Sequence, residues 1–265
     1  MKKNLFGFGL AAILSAGLLV GCGGADDSTD EGADNGQASE ESVTLTMGTS
    51  ADYPPFEYID TASGDEIIGF DIDIADHIAA ELGFEYTIED MEFNGLVEAV
   101  RTNRVDFVIA GMTPDDDRRE NVDFSDIYYE GQQMIVTLND SGFESIEDLD
   151  GKKVGVQLGS IQEAEAESIE GAIVEQRDTI PQLIQELRNG QIDAVVLEDT
   201  VANRYFERQD VLTGFMMPVS EEAGYAIAFP KESELTEQFN EVIAEMKEDG
   251  TLDELILKWF GADEE

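Results

Sequence analysis

The sequence predicts an α/β protein built as two lobes of related design. Short apolar runs typical of buried strands alternate with amphipathic helical patterns, which favours largely parallel sheets covered by helices on both faces. One helix–turn–strand pattern occurs twice, which favours two similar lobes over one continuous sheet. With 265 residues, of which 42% are hydrophobic, the chain can bury a substantial core.

The N-terminal residues have the layout of a secretory signal peptide. A basic start (Lys2, Lys3) precedes an apolar stretch and then small residues, so we predict a signal peptide over residues 1–21. The segment Leu19–Cys22, "LVGC", resembles a bacterial lipobox, which implies that Cys22 carries the lipid (palmitate) anchoring the mature protein. Because Cys22 is the single cysteine, neither a disulfide nor a cysteine-based metal site is available.

The composition is strongly acidic, and this excludes several classes of partner. The formal charge is −45, from 60 acidic and 15 basic residues, so the clustered cations that bind nucleic acid or an anionic membrane surface are missing. The charge by itself indicates only a strongly hydrated surface. Residues 22–42 carry no large apolar side chain, so we predict an acidic flexible tether there and a folded part that starts near Val43.

The folded part begins with a strand and ends with two helices. Residues 43–49 alternate apolar and polar side chains and predict the first strand. A helix follows over residues 69–83, with Asp71 as its N-cap and Gly83 as its stop. Near the C-terminus two amphipathic helices are separated at Gly250. Further strands are predicted at FEYTI, VDFVIAG, QMIVTL, KKVGVQL, IDAVVL and GYAIAF.

The internal repeat locates a candidate site. Residues 93–106 align without gaps on residues 180–193, and Asp106 matches Asp193 in the two copies. Ligands of open α/β sheets bind beyond the carboxyl ends of the parallel strands. Counting past the two aspartates along each strand leads to Gly111 and to Glu198. If the lobes face one another, these positions border one cleft that closes by a hinge motion.

The segment MTPDDDRR combines a predicted helix start with two arginines. Thr113 is predicted as the N-cap and Pro114 as the first helical residue, and such an N-terminus favours an anion. Arg118 adds a planar fork that matches a carboxylate. The alternative is that Arg118 and Arg119 only neutralise the three preceding aspartates.

Across the predicted cleft, Glu198 suits an ammonium group, although it could equally be an ordinary helix-start acid. Arg118 and Glu198 together fit a zwitterion. Tyr53 and Phe93 could wall the remaining pocket, while Phe56 stays a candidate for core packing.

Several segments together resemble the polar amino-acid family of extracellular solute-binding proteins (family 3), the receptors of ABC importers. The resemblance runs from about Val43 to Gly261, and its segments are GTSADYPPFEY, GFDIDIADHIAAELG, FVIAGMTPDDDRRENVDFSDIYYEGQ, LDGKKVGVQLGS and IDAVVLEDTVA. It implies a two-lobed periplasmic-binding-protein-like (type II) fold with two crossover segments, near residues 129–133 and 220–224. Lobe 1 would comprise residues 43–131 and 222–265, and lobe 2 residues 132–221.

The resemblance also implies a role for each site residue. Arg118 would grip the ligand α-carboxylate, helped by Thr113 and by backbone around Gly111, and Glu198, or Asp199 in its place, would bind the α-amino group. The ligand side chain would lie against Tyr53 and Phe93, with second-lobe contacts from Gln157, Ile161 and Gln162. Ser50 departs from the family pattern, because binders of basic and amide amino acids often carry an acid there.

These features predict a lipid-anchored receptor outside the cell that captures a polar amino acid and delivers it to ABC permease subunits. A ligand with a basic or amide side chain stays open. We expect a monomer without cofactor or metal, bound to the membrane through its lipid alone. The alternatives are a dehydratase-like enzyme on the same scaffold, with Glu198 as general acid, and a sensor of amino acids.

Overall fold

The protein folds into two lobes, each built on a five-stranded sheet. The structure is a computed structural model that describes residues 43–218 and 224–261, so the predicted signal peptide, Cys22 and the predicted tether lie outside it. In chain order its strands are β1 (Thr44–Thr49), β2 (Asp52–Tyr53), β3 (Glu57–Asp60), β4 (Glu66–Ile68), β5 (Glu85–Asp90), β6 (Phe107–Val108), β7 (Asp123–Phe124), β8 (Tyr129–Glu130), β9 (Gln133–Leu138), β10 (Lys153–Gln157), β11 (Ile173–Arg177), β12 (Ala194–Glu198), β13 (Leu212–Met216), β14 (Gly224–Tyr225) and β15 (Ala228–Phe229).

The helices cover both sheets. They are α1 (Phe70–Leu82), α2 (Leu96–Arg101), α3 (Asp116–Asn121), α4 (Ile161–Glu167), α5 (Ile180–Arg188), α6 (Asp199–Arg208), α7 (Leu235–Asp249) and α8 (Thr251–Phe260), with short 3₁₀ helices at Phe93–Gly95 and Ile146–Leu149. We call the sheet β5-β1-β6-β15-β7 with α1 to α3, α7 and α8 the first lobe, and the sheet β11-β10-β12-β9-β13 with α4 to α6 the second lobe. No helix among the described residues is long and apolar enough to cross a membrane.

The two sheets share one topology. In the first lobe β5, β1 and β6 are parallel, and β15 runs antiparallel to both β6 and β7. In the second lobe β11, β10 and β12 are parallel, and β9 runs antiparallel to both β12 and β13. The prediction of two lobes of related design is therefore confirmed, with an antiparallel fourth strand added to each parallel core.

The repeated aspartate has the same structural task in both lobes. The Asp106 carboxylate accepts a hydrogen bond from the backbone N–H of Thr46 at 2.7 Å, and the Asp193 carboxylate accepts one from Lys153 at 2.8 Å. Each aspartate also donates its own N–H to the carbonyl oxygen of the same partner residue, at 2.8 Å in both lobes. An aspartate thus anchors the start of each repeat strand, β6 or β12, to the parallel strand beside it, β1 or β10.

Two predicted helix starts are wrong. Helix α1 has Gly69 as its N-cap, and Asp71 is instead buried in the first turn, where its carboxylate serves tertiary partners. Helix α3 has Asp115 as its N-cap, with the side chain accepting the N–H of Arg118 at 2.8 Å, so Thr113 and Pro114 precede the helix. The physical reason for the second error is that aspartate caps at least as well as threonine. The predicted stops at Gly83 and Gly250 are confirmed, since both glycines adopt left-handed backbone.

Two short strands join where the chain passes between the sheets. β8 pairs with β14 in an antiparallel ribbon that sets Tyr129 opposite Tyr225. Before β8, strands β1, β5, β6 and β7 belong to the first sheet and β2 to β4 form a small three-stranded sheet of their own, whereas β9 to β13 belong to the second sheet. The second predicted crossover falls mainly on residues 219–223, outside the described residues. The residue boundaries of the lobes therefore stay a prediction.

Candidate functional site

A narrow cavity lies where the carboxyl ends of the parallel strands of both lobes meet. We call it the cleft cavity; its lining residues are Asp52, Tyr53, Glu57, Phe93, Ala110, Gly111, Thr113, Arg118, Gln157, Ser160, Ile161, Gln162 and Tyr225. Of the predicted site residues, the structure places all except Glu198 in this wall. Only about 10 Å³ of the cavity is wide enough for a water-sized sphere. The lobes are therefore in a closed arrangement.

Arg118 is the one cationic side chain among the described lining residues. Its side chain is 8% exposed, and its guanidinium donates to the carbonyl oxygens of Thr113 at 2.5 Å and Gly159 at 2.8 Å. Its Nε lies 3.2 Å from the carboxylate of Asp115, and the guanidinium carbon lies 5.4 Å from the centre of the Phe93 ring. Asp115 thus orients the arginine without removing it from the cavity.

Arg119 has a different environment. It is exposed, its Nε donates to the carbonyl oxygen of Pro114 at 2.8 Å, and its guanidinium lies over the ring of Phe124. The two arginines are therefore not equivalent: one faces the cleft cavity and the other braces the outside of the loop.

The wall next to Arg118 contains an unpartnered hydroxyl and a glycine with left-handed backbone. The Thr113 hydroxyl is buried without a hydrogen-bond partner among the described residues. Gly111 has φ 51°, a left-handed backbone that favours glycine, and its N–H donates to Asp71 at 2.8 Å. A side chain on Gly111 would contact the Tyr53 ring, so glycine also keeps the wall open.

The second lobe closes the cavity with the side-chain amides of Gln157 and Gln162 and the hydroxyl of Ser160. Gln157 donates weakly to Asp52 and to the carbonyl oxygen of Asp178, and Gln162 donates to Gln133 at 3.0 Å. Ile161 begins helix α4 beside them. Asp52 ties the lobes together, because its carboxylate also accepts the N–H of Ile180 at 2.9 Å.

Glu198 lies behind the cavity wall. It is 1% exposed, and its Oε2 caps helix α6 by accepting the N–H groups of Thr200 and Val201, at 3.0 and 3.1 Å. Its Oε1 lies 3.5 Å from the hydroxyl of Tyr129. Burial and the neighbouring Asp199 carboxyl raise the pKa of Glu198 well above its ordinary value. Oε2 of Glu198 is therefore used to cap helix α6, whereas Oε1 faces Tyr129 on the crossover strand β8.

Sequence reasoning missed the acids that line the cavity. Asp52 and Glu57 were not predicted as site residues, and Asp71 was expected to cap a helix. Burial raises the pKa of Asp52 to about 6, against the hydrogen bonds from Ile180 and Gln157. Burial likewise raises the pKa of Asp71 to about 6.

Ala110, Ser160 and Tyr225 were also missed, and Tyr225 reaches the cavity from a part of the chain far away in sequence.

Glu57 is the most unusual of these acids. It is 1% exposed, and neither carboxyl oxygen has a hydrogen bond of ordinary geometry to a described residue. Burial, and then the nearby Asp71 carboxyl, raise its pKa well above the ordinary value. A glutamate held between two aromatic residues in PPFEY, at an inward-facing strand position, was the signal that could have found it.

The comparisons with known proteins agree with this architecture. The sequence profile of the bacterial extracellular solute-binding proteins, family 3, matches residues 45–262. The chain belongs to this family. The predicted family resemblance is thereby confirmed, and with it the two-lobed fold and a role in binding a solute outside the cell. Members of the family are binding proteins rather than enzymes.

Individual relatives match almost end to end. The arginine-binding extracellular protein ArtP of Bacillus subtilis is 45% identical over 98% of both chains. A solved substrate-binding protein of an amino acid ABC transporter is 43% identical, with a TM-score of 0.80 over 82% of this chain and 99% of its own. An ancestral arginine-binding protein bound to arginine is 42% identical, with a TM-score of 0.76 over 82% of this chain and 98% of its own.

Proposed function

We propose that this solute-binding protein captures a cationic amino acid, with arginine as the first candidate, and delivers it to an ABC importer. The observation that carries the substrate class is the charge around the cleft cavity. Asp52 and Glu57 line it and Asp71 and Glu198 lie behind it, whereas Arg118 is the one cationic side chain among the described lining residues. This excess of carboxyl groups favours a cationic ligand, because a buried carboxylate is stable only when a cation is paired with it.

The backbone of an amino acid accounts for two of these groups. Arg118 is proposed to bind the α-carboxylate together with the unpartnered Thr113 hydroxyl, and Glu198 to bind the α-ammonium group through its outward oxygen. Asp52 and Glu57 then remain for the ligand side chain. A guanidinium fits, because it offers several N–H donors in one plane to more than one carboxylate.

Other lining residues would shape the same subsite. Tyr53 and Phe93 are proposed to hold the ligand side chain between aromatic faces, which also attract a cation. Gln157, Ile161 and Gln162 are proposed to close over it from the second lobe. The relatives support this substrate class, since two of those described above are named as arginine-binding.

Closure is the proposed signal to the transporter. Because the cavity is too narrow to admit an amino acid in the closed arrangement, the lobes must separate before binding. A ligand that contacts both lobes then favours the closed state over the open one. The hinge is proposed to lie at the paired strands β8 and β14, with lobe boundaries at residues 131/132 and 221/222.

The remaining features of the proposal concern location and partners. We propose that residues 1–21 are removed, that Cys22 becomes lipidated, and that residues 22–42 tether a monomeric receptor near its permease subunits. The protein would capture its ligand without converting it, so mass spectrometry of ligand recovered from the protein should return the unchanged amino acid.

Calorimetric titration with arginine, lysine, glutamine and citrulline tests the substrate. Citrulline has nearly the shape of arginine but carries a neutral urea in place of the guanidinium. We expect arginine to bind at least ten times more tightly than citrulline or glutamine. Equal binding of citrulline would overturn the cationic substrate, and no binding of any common amino acid in a thermal-shift screen would overturn amino-acid capture.

A further inference from the structure

Two neighbouring carboxyl groups lie at the cleft cavity, where Glu57 lines the wall and Asp71 lies behind it. Glu57 from β3 and Asp71 from α1 are both buried, at 1% and 0% exposure, and the Asp71 carboxyl raises the pKa of Glu57 further above its ordinary value. Like charges in a low-dielectric site rarely ionise together, so the pair holds a proton when no cation is near.

Hydrogen bonds decide which member of the pair keeps that proton. The Asp71 carboxylate accepts the N–H of Gly111 at 2.8 Å and the hydroxyl of Tyr128 at 3.0 Å, and both donors favour its charged form. Glu57 has no comparable donor among the described residues. The proton therefore belongs on Glu57, the member of the pair that lines the cavity.

The other groups around Glu57 do not compensate a charge on it. Asp52 from β2, Asp71 from α1 and Asp90 at the end of β5 all disfavour its ionised form. Glu66 on the neighbouring strand β4 is exposed and lies opposite Asp60, at the other end of β3 from Glu57. The cavity wall also contains the hydroxyls of Tyr53 and Tyr225. Arg118 lies in the same wall, but its guanidinium is already bonded to Thr113, Asp115 and Gly159.

We propose that a cationic ligand side chain takes the place of a proton on Glu57, so that ligand capture is coupled to proton release. This inference rests on the proposed cationic substrate. Before binding, Glu57 is a carboxylic acid; during binding its O–H bond breaks, the proton passes to the solvent, and the carboxylate pairs with the ligand cation. The net charge of the complex is then unchanged by the arrival of the guanidinium.

The coupling sets the direction of the pH dependence. Because the complex needs Glu57 ionised, rising pH favours binding for as long as Glu57 in the free protein is protonated. One released proton corresponds to at most about a tenfold gain in affinity per pH unit. The ratio of the dissociation constant of citrulline to that of arginine should therefore grow between pH 6 and pH 8.

Calorimetry in two buffers measures the released protons directly. Arginine and citrulline are each titrated into the wild-type protein in phosphate and in Tris, whose ionisation enthalpies differ widely. We expect arginine to release more protons than citrulline, by up to one per ligand. Citrulline serves as the matched ligand, because any proton released at Glu198 by the α-ammonium group is common to both.

The variants Glu57→Gln and Glu66→Gln assign the proton to its residue. We expect Glu57→Gln to lose the extra release with arginine, and Glu66→Gln, on the exposed neighbouring strand, to keep it. Persistence of the extra release in Glu57→Gln would overturn the assignment. If Glu57→Gln does not fold, as judged by thermal melting, the wild-type comparison still decides: arginine and citrulline releasing equal numbers of protons overturns the coupling. Failure of arginine to bind at all is a separate outcome, which overturns the proposed function.

Discussion

The guanidinium of Arg118 in the first lobe donates a hydrogen bond to the carbonyl oxygen of Gly159 in the second lobe, at 2.8 Å. This contact crosses the cleft beside the cavity and joins α3 of one lobe to the loop before α4 of the other. A second contact of the same kind joins the Asp52 carboxylate to the N–H of Ile180 at 2.9 Å. The residues proposed to hold the ligand thus also hold the lobes together.

Arg118→Ala should weaken ligand binding by about 2–5 kcal/mol, because it leaves a desolvated carboxylate without its partner. Arg119→Ala is the matched control and should change binding little, since Arg119 is exposed and faces away from the cavity. Calorimetric titration of arginine into both variants makes the measurement. Equal losses in the two variants, or none in either, would refute the role of Arg118.

Glu198→Gln should weaken ligand binding by about 1.5–3 kcal/mol, the usual worth of a hydrogen bond to a charged group. The amide oxygen can still cap helix α6, so the loss reports on the missing charge. Asp199→Asn is the control, because Asp199 is only partly buried and accepts the N–H of Gln132 instead. A larger loss for Asp199→Asn than for Glu198→Gln would move the α-ammonium contact to Asp199.

Gly155→Ala should lower the free energy of unfolding by about 1–3 kcal/mol through overpacking. An added Cβ would lie 2.6 Å from Ile192 Cδ1 and 2.7 Å from Leu183 Cδ2, closer than a real contact allows. Gly95→Ala meets nothing within 4 Å and should change stability by less than about 0.5 kcal/mol. Urea denaturation compares the two variants, and similar midpoints would show that the second lobe repacks freely.

Asp52→Asn should gain stability relative to wild type as pH rises from 4 to 7. Because the folded state raises the pKa of Asp52 to about 6, folding is favoured by the protonated form, and that contribution is lost as pH rises through the folded pKa. The asparagine variant cannot lose it, so the difference in unfolding free energy should grow by about 1–3 kcal/mol across this window.

Unfolding free energies of both proteins at pH 4, 5, 6 and 7 provide the check on Asp52. Glu66→Gln, at an exposed position, should show no such growth. A constant difference between Asp52→Asn and wild type over the whole range would mean that Asp52 titrates normally in the folded protein.

Local pattern was enough to predict the paired design of the fold. The repeat around Asp106 and Asp193 placed the same helix, turn and strand in each lobe, and the two aspartates indeed make equivalent bonds. Counting residues from these aspartates along each predicted strand also led to the carboxyl ends of the strands, where the cavity lies. Arg118 could be singled out from its neighbour only through the family resemblance, since spacing alone left charge neutralisation open.

Tertiary structure decided what the acids do. Asp71 has the chemistry of a helix cap, but it lies inside the first turn of α1, and Gly111 and Tyr128 from elsewhere in the chain donate to its carboxylate. The sequence marks Glu57 only by its place between two aromatic residues, because its missing hydrogen-bond partners are a property of the assembled fold. The sequence by itself therefore determined the family, the two lobes and the arginine at the cavity. Only the packing of distant segments determined which carboxyl groups are buried away from water. Burial destabilises the ionised form of a carboxyl group, so such a group favours a cation beside it.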